Sequence, residues 1–150
     1  MDAGAVTDAV RRVLQSPRFK AKDVVASLSG ASVIVKKISL PVMSEADLAD
    51  SIQWEAEQYI PFDIQDVNLD YQILTPAAER QGTMDVLLVA AKKDKIADYT
   101  GVVSAVGRKT VVVDVDAFAL QNAFETNYAD DAQKVVALVN AGASAININL

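Results

Sequence analysis

Apolar residues recur at helical spacing from the start of the chain. Val6, Val10, Val13 and Leu14 form one stripe with Arg11 and Arg12 turned outward, which predicts a helix over 7–14 that Ser16-Pro17 ends. Lys20-Ala21-Lys22 reads as a solvated connector. Val24 to Ser29 is a run of strand length, expected to be buried and closed by Gly30, and a second strand over 32–40 is stopped by Pro41. Ser44 is a candidate N-cap, with Glu45 and Asp47 in the first helical turn, where carboxylates meet the positive end of the helix dipole. Leu48, Ile52, Ala56 and Tyr59 form the apolar stripe of that helix, and Pro61 is expected to end it. At roughly 100° per residue, Trp54 falls about 150° from the centre of the stripe, beside Asp47, Ser51 and Gln58. The single tryptophan is therefore either covered by a neighbouring segment, as tryptophans usually are, or an anchor for a partner.

Further along, Val67, Leu69, Tyr71 and Ile73 alternate with Asn68, Asp70 and Gln72, the pattern of a half-buried antiparallel strand. A polar turn over 78–82 joins it to a more continuously apolar strand over 85–91, so the two are expected to pair as a hairpin. A helix over 94–106 follows, with Ile96, Tyr99, Val103 and Val106 as its stripe and Gly107 as its left-handed cap. Gly101 inside it implies either close packing or a short helix. A strand over 110–113 leads to a helix reaching Asn127, with Asp116 as its expected cap. An acidic loop over 128–131, a strand over 134–139, a tight turn over 140–144 and a strand over 145–150 complete the pattern. The last strand pattern has no polar tail, and the expectation from that open end is a piece of a longer protein.

Composition narrows the chemistry. Of 150 residues, 51% are hydrophobic and 23% charged, enough for a packed core. The chain has no cysteine and no histidine, which excludes disulfides, thiolate or imidazole zinc sites, Cys or Ser–His nucleophiles and a histidine proton switch. Fourteen basic residues against twenty acidic ones give a formal charge of −6, which argues against a nucleic-acid-binding face and against a polybasic membrane-surface module. No apolar run approaches the roughly 20 residues of a membrane span, and Met1-Asp2-Ala3-Gly4 lacks a signal-peptide pattern, so a cytoplasmic location is expected.

Candidate chemistry is sparse. Asn140-Ala141-Gly142-Ala143-Ser144 between two strands places small residues where backbone N–H groups can approach phosphate oxygens, although such turns are more often plain hairpins. Asp114 and Asp116 stand at the C-terminal end of a strand, a common place for α/β sites, while helix capping is the ordinary role of an aspartate at position 116. Glu55 and Glu57 point to different sides of their helix. Lys36-Lys37 and Lys92-Lys93 read as solvated strand ends. No GxxxxGK[ST] or GxGxxG motif occurs.

The string Trp54-Glu55-Ala56-Glu57-Gln58-Tyr59-Ile60-Pro61-Phe62 resembles the PilM family of type IV pilus assembly proteins. So do 32–37, Leu40-Pro41, 69–74, 86–92 and 113–120, in the same order along nearly the whole chain. The resemblance implies an α/β fold: part of an actin-like (ribonuclease H-like) core domain, related to FtsA, with an inserted small α/β subdomain of the 1C type. Residues 1–31 and 92–150 would belong to the core and 32–91 to the insertion. It implies a cytoplasmic adaptor at the inner face of the inner membrane, peripheral to it through a partner. That adaptor takes the N-terminal peptide of a PilN-like inner-membrane protein in a groove between core and insertion, and it links this partner to the pilus motor ATPases and platform protein. Trp54, Tyr59, Ile60, Pro61 and Phe62 are the candidate partner contacts, with Pro61 and Phe62 alternatively sealing the helix end.

The family binds ATP with Mg²⁺. Gly142, Ala143 and Ser144 match its second phosphate loop, Asn140 replaces the usual aspartate and Ala141 the usual isoleucine, and Asp116 lies near a catalytic polar position of actin-like ATPases. A neutral carboxamide at position 140 weakens the case for tight Mg²⁺ binding. With the first phosphate hairpin and the second half of the fold absent from the chain, this piece alone is expected not to hold ATP well. The alternative to the adaptor is an actin-like ATPase or small-molecule kinase, for which Asn140 is an unfavourable sign.

Overall fold

The computed structural model describes residues 2–76, 79, 82–128, 134–142 and 146–150. The elements in chain order are α1 (Ala3–Leu14), β1 (Asp23–Leu28), β2 (Val33–Pro41), α2 (Glu45–Glu57), β3 (Val67–Ile73), β4 (Thr83–Lys92), α3 (Lys93–Ala105), β5 (Lys109–Val115), α4 (Asp116–Asn127), β6 (Leu138–Ala141) and β7 (Ile146–Asn149), with short 3-10 turns at Gly30–Ser32 and Ile64–Asp66. They fall into two compact units, residues 31–95 and residues 1–30 with 96–150.

The 31–95 unit is a three-stranded antiparallel sheet in the order β2-β4-β3, carrying α2 on one face. The hairpin of β3 and β4 is the one expected, in the register Val67↔Lys92 to Ile73↔Val86. Strand β2 pairs with the other edge of β4, from Val33↔Ala91 to Pro41↔Thr83. Because side chains alternate across a strand, Met84, Val86, Leu88 and Ala90 all point to one face and are buried, with Ile38 and Leu40 of β2 and Val67 of β3 beside them. Onto that face α2 sets Leu48, Ile52 and Ala56, spaced four apart and buried. Ser44 caps the helix by accepting from the Asp47 N–H at 3.1 Å, as expected. The helix ends at Glu57, before Tyr59 and Pro61.

On the other face of the sheet, Asp85 is held by β2. Ser39 Oγ donates to its Oδ1 at 2.6 Å and Lys37 Nζ lies 3.1 Å from its Oδ2. The Ser39 hydrogen bond first, then the hydrogen bond and charge of Lys37, draw the Asp85 carboxyl below its ordinary value. Lys36-Lys37 is therefore not a strand end. It lies in the middle of β2, the edge of the sheet, where lysines discourage further strand pairing.

The other unit pairs β1 and β5 in parallel, from Asp23↔Lys109 to Leu28↔Val115, with a register shift at Val24/Val25. Helix α3 closes with the expected left-handed Gly107 (φ 74°): its N–H donates to the Ser104 carbonyl and that of Arg108 to the Val103 carbonyl, a Schellman motif. Helix α1 begins at Ala3, capped by Asp2, four residues earlier than the apolar stripe alone predicts. Hairpin β6–β7 pairs Leu138↔Asn149 to Ala141↔Ile146.

Several expectations fail in this unit. β1 is only partly buried: Leu28 is covered and Val24, Ala26 and Ser27 are half-buried, whereas Val25 is 64% exposed. The buried residue of α3 is Val102, whereas Tyr99, its i−3 neighbour on the same side, is 37% exposed at the margin of the covered surface. Val13 lies off the covered side of α1. A Cβ at Gly101 would meet nothing within 4 Å and the helix runs through it, so neither close packing nor a short helix explains that glycine. The strand expected over 134–139 is confined to β6, since its partner β7 is only four residues long. Most of the 78–82 turn and of the 128–131 loop lies outside the described residues.

Three measurements follow from this packing. Leu48→Ala is expected to cost about 2–5 kcal/mol in urea unfolding, since the residue is fully enclosed. Gly101→Ala is expected to gain about 0.5–1 kcal/mol. The Asp85 carboxyl followed by NMR should titrate below the ordinary carboxylate range, and Ser39→Ala or Lys37→Ala should return it upward. Its stabilising contribution is full above that range and is lost as pH falls through the depressed value.

Candidate functional site

Two places gather the residues singled out in the sequence. The first lies where β1, α4 and the β6–β7 hairpin meet. The parallel register sets Ser27 beside Asp114, and Ser27 Oγ donates to the carboxylate of Asp116, two residues on, at the start of α4. Asp116 is thus not the helix cap. The cap position is Val115, without a side-chain bond, and the Ser27 hydroxyl is the group that engages the carboxylate. Asp114 turns to its own chain and accepts from the Val115 N–H at 2.7 Å.

Asp116, Asn140, Asn147 and Asn149 line one small cleft with Ala117, Leu120 and Leu138. Asn149 Nδ2 donates to the Ala117 carbonyl at 3.2 Å and to Gln121 Oε1 at 3.3 Å, fastening β7 to α4. Asn140 pairs with Asn147 inside the hairpin and so belongs to β6, not to the turn. Gly142 follows the end of that strand. Ala143 and Ser144 lie outside the described residues.

Asp116 and Asn140, distant in sequence, are brought together. Ser27, Asn147 and Asn149 were not legible as members of the group, although the alternation Ile146-Asn147-Ile148-Asn149 already sets both asparagines on one side of a strand. The donor set is one carboxylate, engaged by Ser27, and three neutral carboxamides. Such groups donate N–H bonds to phosphate or ribose oxygens. They bring no charge, so Asp116 is the one anionic side chain lining this cleft. No group of three or more acidic side chains suited to a metal occurs among the described residues.

The second place is the end of α2. Ile60 is 5% exposed and belongs to the core: the chain turns inward there to close the apolar face under the helix. Tyr59 and Phe62 are half-buried against the same core. Each ring meets a lysine: Lys36 Nζ lies 5.6 Å from the Tyr59 centroid and Lys92 Nζ 4.1 Å from that of Phe62. These lysines sit on the α2 face of the sheet, in phase with Ile38 and with Ala90, a signal present in the alternation but masked by their charge. Pro61 is exposed. Trp54 is 74% exposed among the described residues, contrary to the usual burial of tryptophan. It lies on α2 opposite Leu48, Ile52 and Ala56, away from Tyr59 and Phe62.

The mixed α/β architecture, with its separate sheets, is that of a part of an actin-like domain. The chain matches the family model of the type IV pilus assembly protein PilM over residues 1–150, and it belongs to that family. It is 30% identical to a chain of a solved PilM–PilN type IV pilus biogenesis complex, with a TM-score of 0.83 over 98% of its own length and 44% of that chain. It shares its fold with the cytoplasmic domain of EpsL, an inner-membrane component of the type II secretion system of Vibrio cholerae. There the TM-score is 0.56 at 19% identity, over 79% of this chain and 44% of the other. The chain therefore spans less than half the length of either solved relative. No helix among the described residues is long and apolar enough to cross a membrane.

Ser27→Ala and Asp116→Asn should each cost about 1 kcal/mol in denaturant unfolding, and the double variant should cost less than their sum. Full additivity would mean that the hydroxyl and the carboxylate do not interact.

Proposed function

We propose that the chain is part of a cytoplasmic adaptor of the type IV pilus machine that binds the N-terminal peptide of a PilN-like inner-membrane protein. The observation that carries this reading is the likeness, over nearly its whole length, to a protein solved in complex with PilN. In this reading residues 1–31 and 92–150 are actin-like core and 32–91 the inserted 1C-like subdomain. The adaptor stands at the inner face of the inner membrane through its partner and passes that attachment on to the pilus motor ATPases and platform protein.

Tyr59, Pro61 and Phe62 supply contacts for an extended peptide. Two aromatic rings are held in place by Lys36 and Lys92, and a proline presents a rigid backbone with little ordering cost on binding. ATP, in the full-length protein, acts as a switch rather than as a substrate for fast turnover. Asp116, Asn140 and the Gly142-Ala143-Ser144 segment stand on its phosphate side, and this chain alone does not retain it.

The test is calorimetry with a synthetic peptide of the partner's cytoplasmic N-terminus. Saturable one-to-one heat is expected, together with amide shifts at 59–62 in NMR and roughly tenfold weaker binding for Phe62→Leu. A folded chain that gives neither heat nor shifts would falsify the adaptor reading. Titration with a fluorescent ATP analogue should show no saturation for this chain.

A further inference from the structure

Helix α2 carries charge of one sign only. Glu45, Asp47, Asp50, Glu55 and Glu57 give five carboxylates in thirteen residues and no base. Glu45 and Asp47 suit the N-terminal turn, and Asp47 also accepts from Ser44 Oγ at 2.7 Å. Glu55 and Glu57 do not suit their place: they stand in the last turn, where the helix dipole is negative and a lysine or arginine would be favoured. Neither Asp50 nor Glu57 is in an ion pair among the described residues.

Asp50 lies four residues before Trp54 and Glu57 three after it, the spacings that place side chains side by side on one helix face. All three are exposed, and that face points away from the sheet. In the free chain nothing is gained by this arrangement: an indole stays in water, like charges adjoin, and two carboxylates oppose the dipole. Conflicts of this kind concentrate at functional positions.

We propose that the outer face of α2 is a docking surface for a basic segment of a protein partner, in which an arginine stacks on Trp54 while Asp50 and Glu57 meet its charge. A guanidinium is planar, stacks on an indole face and pairs with carboxylates in fixed geometry, so arginine is preferred over lysine. The surface extends the function beyond the adaptor reading and does not depend on it, because Tyr59 and Phe62 lie on the opposite side of α2.

Trp54 is the only tryptophan, so its fluorescence reports this face alone. The intact chain is titrated at low salt with a decapeptide alternating arginine and glycine, with its lysine counterpart and with its glutamate counterpart. Saturable change with the arginine peptide is expected, severalfold weaker with lysine and absent with glutamate. Asp50→Asn with Glu57→Gln should weaken binding about tenfold, whereas Asp23→Asn with Asp66→Asn should leave it within twofold. Glu57→Lys should raise the thermal midpoint of the free chain while abolishing binding, which distinguishes lost docking from lost folding. Equal losses from the two double variants would reduce the effect to net charge and overturn the proposal. So would a dimer in sedimentation equilibrium that Trp54→Ala dissolves, since the occupant would then be a second copy. Loss of adaptor peptide binding with this surface intact would leave the proposal standing.

Discussion

The packing of α2 on the central strand β4 is the interaction on which the 31–95 unit depends. β4 is paired along both edges, so its backbone groups are satisfied by β2 and β3 while its alternate side chains supply one apolar face. Leu48, Ile52 and Ala56 close that face, and eleven buried side chains form one continuous cluster around it. Everything singled out at the end of α2 follows from this closure. Ile60 turns inward to complete the cluster, which sets Tyr59 and Phe62 at its margin under Lys36 and Lys92 and turns Trp54 outward.

The other unit is held differently. Among its described residues only Leu28 and Val102 are buried apolar side chains, and α1 and α4 have none. Polar fastening is correspondingly prominent. Arg108 donates to the Phe19 carbonyl at 3.1 Å, the Lys109 N–H to that of Lys22 at 2.9 Å, and Asn149 to α4. Hydrogen bonds of this kind contribute about 1 kcal/mol each, less than a well-packed aliphatic side chain. The Asp116–Asn140 cleft is built on this framework.

Much of the fold was legible because local rules and tertiary packing agree. The alternation in β3, the N-cap at Ser44, the stripe of Leu48, Ile52 and Ala56, and the left-handed cap at Gly107 all survive into the structure. The misses share a cause. Tyr99 and Val102 are neighbours on one side of α3, yet Val102 is buried and Tyr99 is not, and only the neighbours of a helix decide how far its apolar side is covered. Asp116 looks like a cap by position, but Ser27, 89 residues away in sequence, competes for its carboxylate.

Sequence by itself determined the periodicities, the turn and cap chemistry, the excluded cysteine and histidine chemistries, and the family, since each depends on residues near one another or on residue type alone. Only the tertiary structure decided that β2 is the third strand beside β4, that Ser27 and three asparagines gather around Asp116, and that Ile60 is core while Trp54 is bare. Those outcomes depend on contacts between residues tens of positions apart. No local pattern encodes which of several compatible faces the rest of the chain will cover.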